Sequence, residues 1–494
     1  MNSRTNPLLL LSRHESGGAT IAVLGFVVVI SLLFGVVLTR SVDIYRQVSH
    51  VASWQEALLA AEAGSDTAMA ELRKTLFDPA TAFAGWTTTA LDGTVLPHQG
   101  KRFAGPTLIH GGEGNTELDL AVSIDTPPQL IDGSDRQWYR VRSTGTTYLS
   151  GGRYVTYVTA DKRDHLLRRL SFRWDRKTDT AVTRPQSSRM VEILVKPTSF
   201  ENAITSDLPI DLNNQKIIVD SYDSRYATKS TMTANGGVYP DTEPLKQQKN
   251  GDIATNSKLI DAGDATIKGD AFTNAGVIQS GANITGEQRN DFYQELIPIK
   301  KPSDWPLIQP TPPSIGGSTT FVGGTKAAPM RYKLASMNIE GTSVMTFKPS
   351  ATGVESYIEV WVTGDLKTAG NGTIVVQPNA NVKIFLEGHI DVKGNGTFNA
   401  NSQPGRLQIL GVQPPPGSPR NMSFSGNGVI VAAIYAPQHN VVFGATGSAG
   451  TMWGSLTGRS ITMGGTTYIH YDEALADTGH ITDFRIKSWF EDVR

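Results

Sequence analysis

Two stretches of the chain align residue for residue at a fixed offset of 24: YIEVWVTGDLKTAGNGTI (Tyr357–Ile374) and NVKIFLEGHIDVKGNGTF (Asn381–Phe398). Val360 matches Ile384, Val362 matches Leu386, Leu366 matches Ile390, and Gly364 matches Gly388. In both copies the even-numbered positions are mostly apolar or glycine, while Lys383, Glu387, His389, Asp391 and Lys393 occupy odd ones. Alternation with period two buries one set and leaves the other in water. The Gly370-Asn371-Gly372 and Gly394-Asn395-Gly396 tripeptides suit corners that need positive φ. The pattern returns as Gly426-Asn427-Gly428 after a Pro-rich insertion (Pro414–Pro419), and more loosely in SLTGRSITMGGT (Ser455–Thr466). ATIKGDAF and ANITGEQR, from Ala265 and Ala282, have the same character. Short strands, glycine corners and a repeat near 24 residues read as coils of a right-handed parallel β-solenoid, each coil covering the next. A β-sandwich is the alternative.

The other end of the chain imposes a different constraint. Residues 19–39 form an uncharged, apolar run, about the ~20 residues a spanning helix requires. A secretory h-region is shorter and ends in a small-residue cleavage site, whereas Arg40 follows this run directly. Beyond it no proline occurs until Pro79, and Val48, Val51, Leu58, Leu59, Met69, Leu72 and Leu76 recur at three- and four-residue steps. That pattern predicts a helix from Ala19 to Leu76, about 87 Å long, which Gly64 could kink. Its apolar stripe outside the bilayer needs a cover, either the chain's own globular part or neighbouring subunits.

Between the two, LDLAVSI, QWYRVRSTGTTYL, RYVTYVTA, RLSFRW and MVEILVKP alternate apolar with polar residues. In WYRVRS, Tyr139 and Val141 face one way and Arg140 and Arg142 the other, as in a half-solvated antiparallel sheet. Arg168, Arg169, Arg173 and Arg176 form a basic cluster that reads as a solvated strand face.

The short polar leader ending in Gly17-Gly18, the long apolar helix and the following ALLAAEAG resemble the N-terminus of type IV pilin-like proteins, in particular PilX-type minor pilins. The likeness covers about residues 10 to 75. It implies that a prepilin peptidase cuts after Gly18, leaving Ala19 as the new N-terminus, with Gly17 as the fallback. Major pilins of that family carry Phe at the first mature position and Glu at the fifth; here these are Ala19 and Val23. Some minor, tip-type members lack that Glu. Residues 200–494, with IHYDEAL and a terminal FRIKSWFEDVR, resemble an uncharacterised β-solenoid domain found behind such N-termini, a family with no established activity.

The expected organisation is therefore mainly β with one long N-terminal α-helix. It comprises a leader (1–18), a transmembrane segment (19–39), its extramembrane continuation (40–78), a β-rich α+β pilin-like head (79–199), a β-solenoid (200–475) and a C-terminal tail (476–494). By this resemblance the chain is a single-pass protein of the bacterial inner membrane, with its N-terminus cytoplasmic and its C-terminal part periplasmic or surface-exposed. Its expected partners are other pilin-like subunits and prepilin peptidase.

Chemistry is sparse. The formal net charge is −1, so no phosphate-binding surface and no nucleic-acid partner is expected. The chain has no cysteine, which excludes disulfides, thiolate metal sites and cysteine nucleophiles. HExxH, GxxxxGK[ST], GxSxG and EF-hand patterns do not occur, and no cofactor is expected. His470, Asp472 and Glu473 are the weak site candidates: histidine beside two carboxylates could bind a metal or move protons. The simpler reading is that Asp472 N-caps a short helix starting at Glu473. Asp220 and Asp223 could contribute to a Ca²⁺ site but are too few alone. Trp361 and Phe385 align between coils as a possible stacking pair for sugars. The resulting expectation is a structural, non-enzymatic subunit, a minor or tip component of a type IV pilus or secretion pseudopilus. The alternative is a membrane-anchored polysaccharide-binding adhesin or carbohydrate-active β-helix enzyme binding a surface glycan. A groove gathering three or more carboxylates or basic groups would favour the latter.

Overall fold

A computed structural model describes residues 16–78, 80–86, 99–111, 114–126, 138–148, 186–212, 216–226, 229–230, 247–279, 283–302, 305, 314–399, 403–444 and 449–492. The fold is mainly β, with one long N-terminal helix and a large parallel sheet. The arginine cluster at 168–176 and the leader up to residue 15 lie outside the described residues.

Helix α1 (Ser16–Phe77) is continuous and passes through Gly64. Its C-terminal half lies on an antiparallel sheet of β1 (Gln99–Gly111), β2 (Gly114–Asp125), β3 (Tyr139–Tyr148), β4 (Gln186–Thr198) and the C-terminal strand Asp483–Asp492, in that order. The buried stripe of α1 is the expected one only in part, with Leu58 and Leu76 packed on the core as expected. Ser53, Ala57, Ala60, Ala61, Gly64, Ser65 and Ala68 face the sheet, joined near the end by Met69 and Leu72. Val48, Val51 and Leu59 stay 61%, 53% and 63% exposed. The reason is closeness of approach. A Cβ on Gly64 would sit 2.1 Å from Ser143 Oγ, and one on Gly145 of β3 would sit 2.1 Å from the Ala57 carbonyl oxygen. Small residues let the backbones meet, and Thr147 Oγ1 donates to the Ser53 carbonyl at 2.9 Å. Below the helix, Val122, Ile124, Val141, Val191, Ile193 and Val195 make the core. On the opposite face of β3, Arg140 and Arg142 are paired with Asp125 and Glu192.

After β4 the chain winds into parallel coils. The register found in the sequence is the register of the strands: Ser356–Val362 pairs with Ala380–Leu386 with Val360 opposite Ile384 and Val362 opposite Leu386. Parallel pairing between successive coils excludes the sandwich. One inward ladder runs Tyr332, Val360, Ile384, Ile409, Ile434, Leu456, Ile204, Ile253, Ala271. A second runs Ile315, Met337, Leu366, Ile390, Met422, Val441, Ile461, Ile210, Ile260, Ile278. A third includes Ile374, Phe398, Ile430, Met452, Ile469, Val219 and Ile267.

These ladders show that spatial order is not sequence order. Residues 204–289 form one arm of coils and residues 314–472 the other, and the end of the second arm stacks on the start of the first. Of the return segment between the arms, Ile297 and Ile299 are buried against the side of the stack, and Tyr435 Oη donates to the Ile297 carbonyl at 3.0 Å. Entry and exit therefore lie together at the middle. The stretch expected to be a C-terminal tail instead supplies a strand, Asp483–Asp492, that pairs with β4 from Asp483↔Thr198 to Asp492↔Met190. The whole solenoid is an insertion between two neighbouring strands of the helix-backed sheet. Arg73 of α1 binds Asp483 at 2.8 Å, and buried Arg189 of β4 pairs with Glu491 and lies over the Trp54 ring.

If glycine at β3 sets the distance between helix and sheet, Gly145→Val forces them apart. It should lower the free energy of unfolding by about 1–3 kcal/mol, read from urea midpoints by tryptophan fluorescence. An unchanged midpoint contradicts the close approach.

Candidate functional site

The Gly-Asn-Gly corners stack on one another. Gly370, Gly394 and Gly426 have φ of 70°, 88° and 106°. A Cβ on Gly394 would lie 2.4 Å from the Gly370 carbonyl oxygen, and one on Gly426 2.0 Å from that of Gly394. Gly396 and Gly428 repeat the crowding against Gly372 and Gly396. The Asn371 and Asn395 amides donate to the carbonyls of Gly341 and Gly370, both at 2.8 Å. Asn427 occupies the same place in the next corner. Glycine here answers the need for positive φ and for backbone packed on backbone. At the other end of the chain, α1 runs unbroken through Gly18 and Ala19.

The histidine–carboxylate candidates are not gathered into one centre. His470 Nδ1 lies 2.6 Å from Asp220 Oδ1, which the parallel register places opposite it, and both are buried. Gln247 Nε2 donates to the other oxygen of Asp220, and the Trp453 ring lies 4.3 Å from the imidazole. Asp472 turns elsewhere: its Oδ1 accepts from the amides of Ala474 and Ser224, capping the short 3₁₀ helix Glu473–Ala476. Glu473 Oε1 accepts from Ser221 Oγ and Asn250 Nδ2. Asp223 is gripped by both prongs of Arg225 at 2.8 Å. Burial acts to raise its pKa, but the guanidinium and backbone N–H of Arg225 outweigh it and hold the carboxyl below the usual range. Among the described residues no cluster of three or more His, Asp or Glu is placed to hold a metal ion. Trp361 and Phe385 are adjacent as expected, but Trp305 packs edge-on against both and Lys333 sits 4.0 Å over the Trp361 ring.

The feature that sequence patterning missed is a cleft of about 600 Å³ beside the meeting point of the two arms. Outward residues of stacked strands line it in register, Glu359 opposite Lys383 and Lys383 opposite Gln408, with Tyr357 opposite Asn381. Ser224 and Arg225 line it too, as do Gln403, Arg406, Asp472 and Asp477. Four basic and four acidic side chains converge here: Arg225, Lys326, Lys383 and Arg406, with Glu355, Glu359, Asp472 and Asp477.

Their bonding is uneven. Glu355 is held by Arg406 at 3.2 Å and by Asn381 at 2.6 Å; Glu359 by Arg331 at 2.9 Å; Asp477 by Lys196 at 2.6 Å and Arg225 at 2.7 Å. Asp472 is spent on backbone amides. The Lys326 and Lys383 side chains make no hydrogen bond or ion pair among the described residues. Burial holds Lys383 below the usual lysine range, Glu359 pulls against that, and like-charged Lys326 adds to it. No single sequence motif could have signalled the cleft, because its residues come from separate coils and both arms.

With this geometry described, two comparisons can be set beside it. Residues 331–478 match a family described as a domain of unknown function (DUF7305), which spans most of the second arm and under a third of the chain. The crystal structure of the competence-associated pilin ComZ from Thermus thermophilus aligns over 90% of this chain and 98% of its own, at 11% identity and a TM-score of 0.24, too low to establish a shared fold. No curated protein matches the sequence.

Burial pushes the Asp472 carboxyl up to about 6, against the hydrogen bonds from Ser224 and Ala474, and does the same to Asp252. Unfolded, both ionise near ~3.9. At these two groups the folded state thus keeps protons that the unfolded state has lost, so their contribution to stability falls as pH rises from about 4 to 6 and is level above, while His439, held down to about 4 by burial, contributes in the opposite sense over the same range. Asp472→Asn keeps the Oδ1 acceptor and should flatten this fall in part, with Asp252 supplying the remainder. Asp472→Ala loses the cap and should cost about 1 kcal/mol. Urea midpoints between pH 4 and 7 decide; an identical slope in wild type and Asp472→Asn contradicts the assignment.

Proposed function

We propose that this chain is a membrane-anchored, pilin-like structural subunit that displays a β-solenoid, acting as a minor or tip component of a type IV pilus or related secretion pseudopilus. The observation that carries the reading is the two-part surface of α1. Among the described residues α1 alone is long and apolar enough to cross a membrane. Its N-terminal part is bare: Ile21, Leu24, Phe34 and Leu38 project with nothing packed on them. At about −0.3 to −0.6 kcal/mol per large aliphatic or Phe residue, a bilayer accepts this run. Further along, the sheet covers the small-residue stripe together with Met69 and Leu72 and leaves Val48, Val51 and Leu59 open. A helix that turns part of its large apolar surface away from its own domain is suited to pack against other helices. The Gly17-Gly18 leader resemblance points the same way. The solenoid joins the helix-backed sheet through two adjacent chain crossings.

A second reading, a membrane-anchored polysaccharide-binding adhesin or carbohydrate-active enzyme, is favoured by the charged cleft. A glycoside hydrolase needs one carboxyl group free as acid and another as base or nucleophile. Here each cleft carboxylate is engaged by a cation or by amides, which supports binding over catalysis. The two readings are compatible, since an assembly subunit can carry a binding head.

Mass spectrometry of the membrane-extracted native protein tests the first reading. A mature N-terminus at Ala19, or at Gly18, is expected; an intact Met1 or Asn2 reduces α1 to a plain anchor. Leu59→Asp should leave the unfolding midpoint within about 0.5 kcal/mol of wild type while depleting the chain from sheared filament fractions. Undiminished recovery there contradicts helix packing through this face.

A further inference from the structure

We infer that the cleft between the arms binds an acidic oligosaccharide, a sugar chain bearing isolated carboxylates, with Lys383 and Lys326 as its anion-binding groups. This rests on the displayed-head reading only for where the ligand is met, not for whether it binds.

The cleft's own carboxylates are already matched, and the two lysine ammoniums are not. Lys383 is part-buried and Lys326 exposed beside it; a part-buried ammonium without a partner is costly, and an incoming carboxylate removes that cost. Burial also depresses Lys383, a penalty that a bound anion reverses. The spacing follows from the coils. Glu359, Lys383 and Gln408 stand on successive rungs, and rungs are ~4.8 Å apart. Asn381, Arg406 and Tyr357 add further polar tips and a ring to the same cleft. Donors, acceptors and single charges at regular intervals match hydroxyls interspersed with carboxylates along an extended polymer. The volume of about 600 Å³ falls within the ~300–1,000 Å³ usual for ligand sites.

Other polyanions fit less well. A nucleic acid carries a charge at every phosphate and is held by a run of cations, yet Glu355, Glu359, Asp472 and Asp477 line this cleft. An acidic peptide would bind most simply by adding a strand to an open edge. The strands Ser356–Val362 and Ala380–Leu386 are interior to the stack, paired on both sides, and offer only side chains.

The test is calorimetric titration of the full, detergent-solubilised chain with linear hexamers of galacturonate, mannuronate and guluronate. A neutral glucose hexamer, an oligoglutamate and a single-stranded oligonucleotide serve as comparators. At least one uronate hexamer should bind with a Kd below about 1 mM, and the comparators should bind at least tenfold more weakly. Lys383→Gln should weaken uronate binding by about tenfold or more, Lys383→Arg should retain most of it, and Lys393→Gln, outside the cleft, should leave it unchanged. Absence of uronate binding, equal binding by Lys383→Gln, or equal binding of the glutamate or nucleotide polymer overturns the proposal. Because titration does not depend on leader processing or assembly, its failure is distinct from failure of the pilin-like reading.

Discussion

The structure depends on one seam of parallel hydrogen bonds. Strand Ala449–Met463 pairs with Ile204–Ser206 and Ile210–Asp211, and strand Thr466–Asp472 pairs with Ile217–Tyr222. Leu456 meets Ile204, Ile461 meets Ile210 and Ile469 meets Val219, so three aliphatic ladders cross from one arm to the other without a gap. Each coil alone is too small to bury a core and relies on its neighbours. Without the seam, both arms would expose an apolar end in the middle of the molecule. The seam also sets what surrounds it. It brings chain entry beside chain exit, so that β4 and the strand Asp483–Asp492 can pair, and it carries Arg225 and Asp477 to the cleft, where they bind each other at 2.7 Å.

A second level of design is the contact between helix and sheet. Glycine and alanine at the interface trade apolar area for proximity, and Val48, Val51 and Leu59 of α1 are left outside. In a soluble monomer that choice would waste a good deal of hydrophobic burial. It is reasonable for a helix that continues from a bilayer and is covered by other helices. The buried Arg189, over Trp54 and against Glu491, and the Arg73–Asp483 pair tie α1 to the two strands that carry the solenoid.

What could be read in the sequence was what neighbouring coils share. The 24-residue offset anticipated the register of Val360 on Ile384, and the Gly-Asn-Gly tripeptides anticipated corners, because both are local consequences of period-two burial and positive φ. The swapped order of the arms was not legible. Leu456 and Ile204 have no common motif, and only the three-dimensional stack shows that they touch. The terminal FRIKSWFEDVR alternates too weakly to announce a strand, and its pairing with β4 follows from the seam. The helix was evident and its buried face was so only toward its end: of the large apolar residues, Leu58, Met69, Leu72 and Leu76 pack on the core while Val48, Val51 and Leu59 do not, and close backbone approach selected Ala57, Ala60 and Gly64. Of the candidate site, the cap at Asp472 was legible, because capping is local, whereas the partners from the other arm were not. His470 and Asp472 each found a partner, Asp220 and the Ser224 amide, across the seam.

The central claim, a solenoid held outside the membrane by α1, is most directly tested by the sidedness of the head. The chain contains no cysteine, so a single Lys393→Cys substitution at a position whose side chain is 64% exposed gives a unique thiol. Labelling with a membrane-impermeant maleimide is done on cells whose outer envelope is opened and whose inner membrane is intact. The account predicts full labelling before that membrane is breached. Labelling only after it is breached would place the solenoid in the cytoplasm and contradict the account.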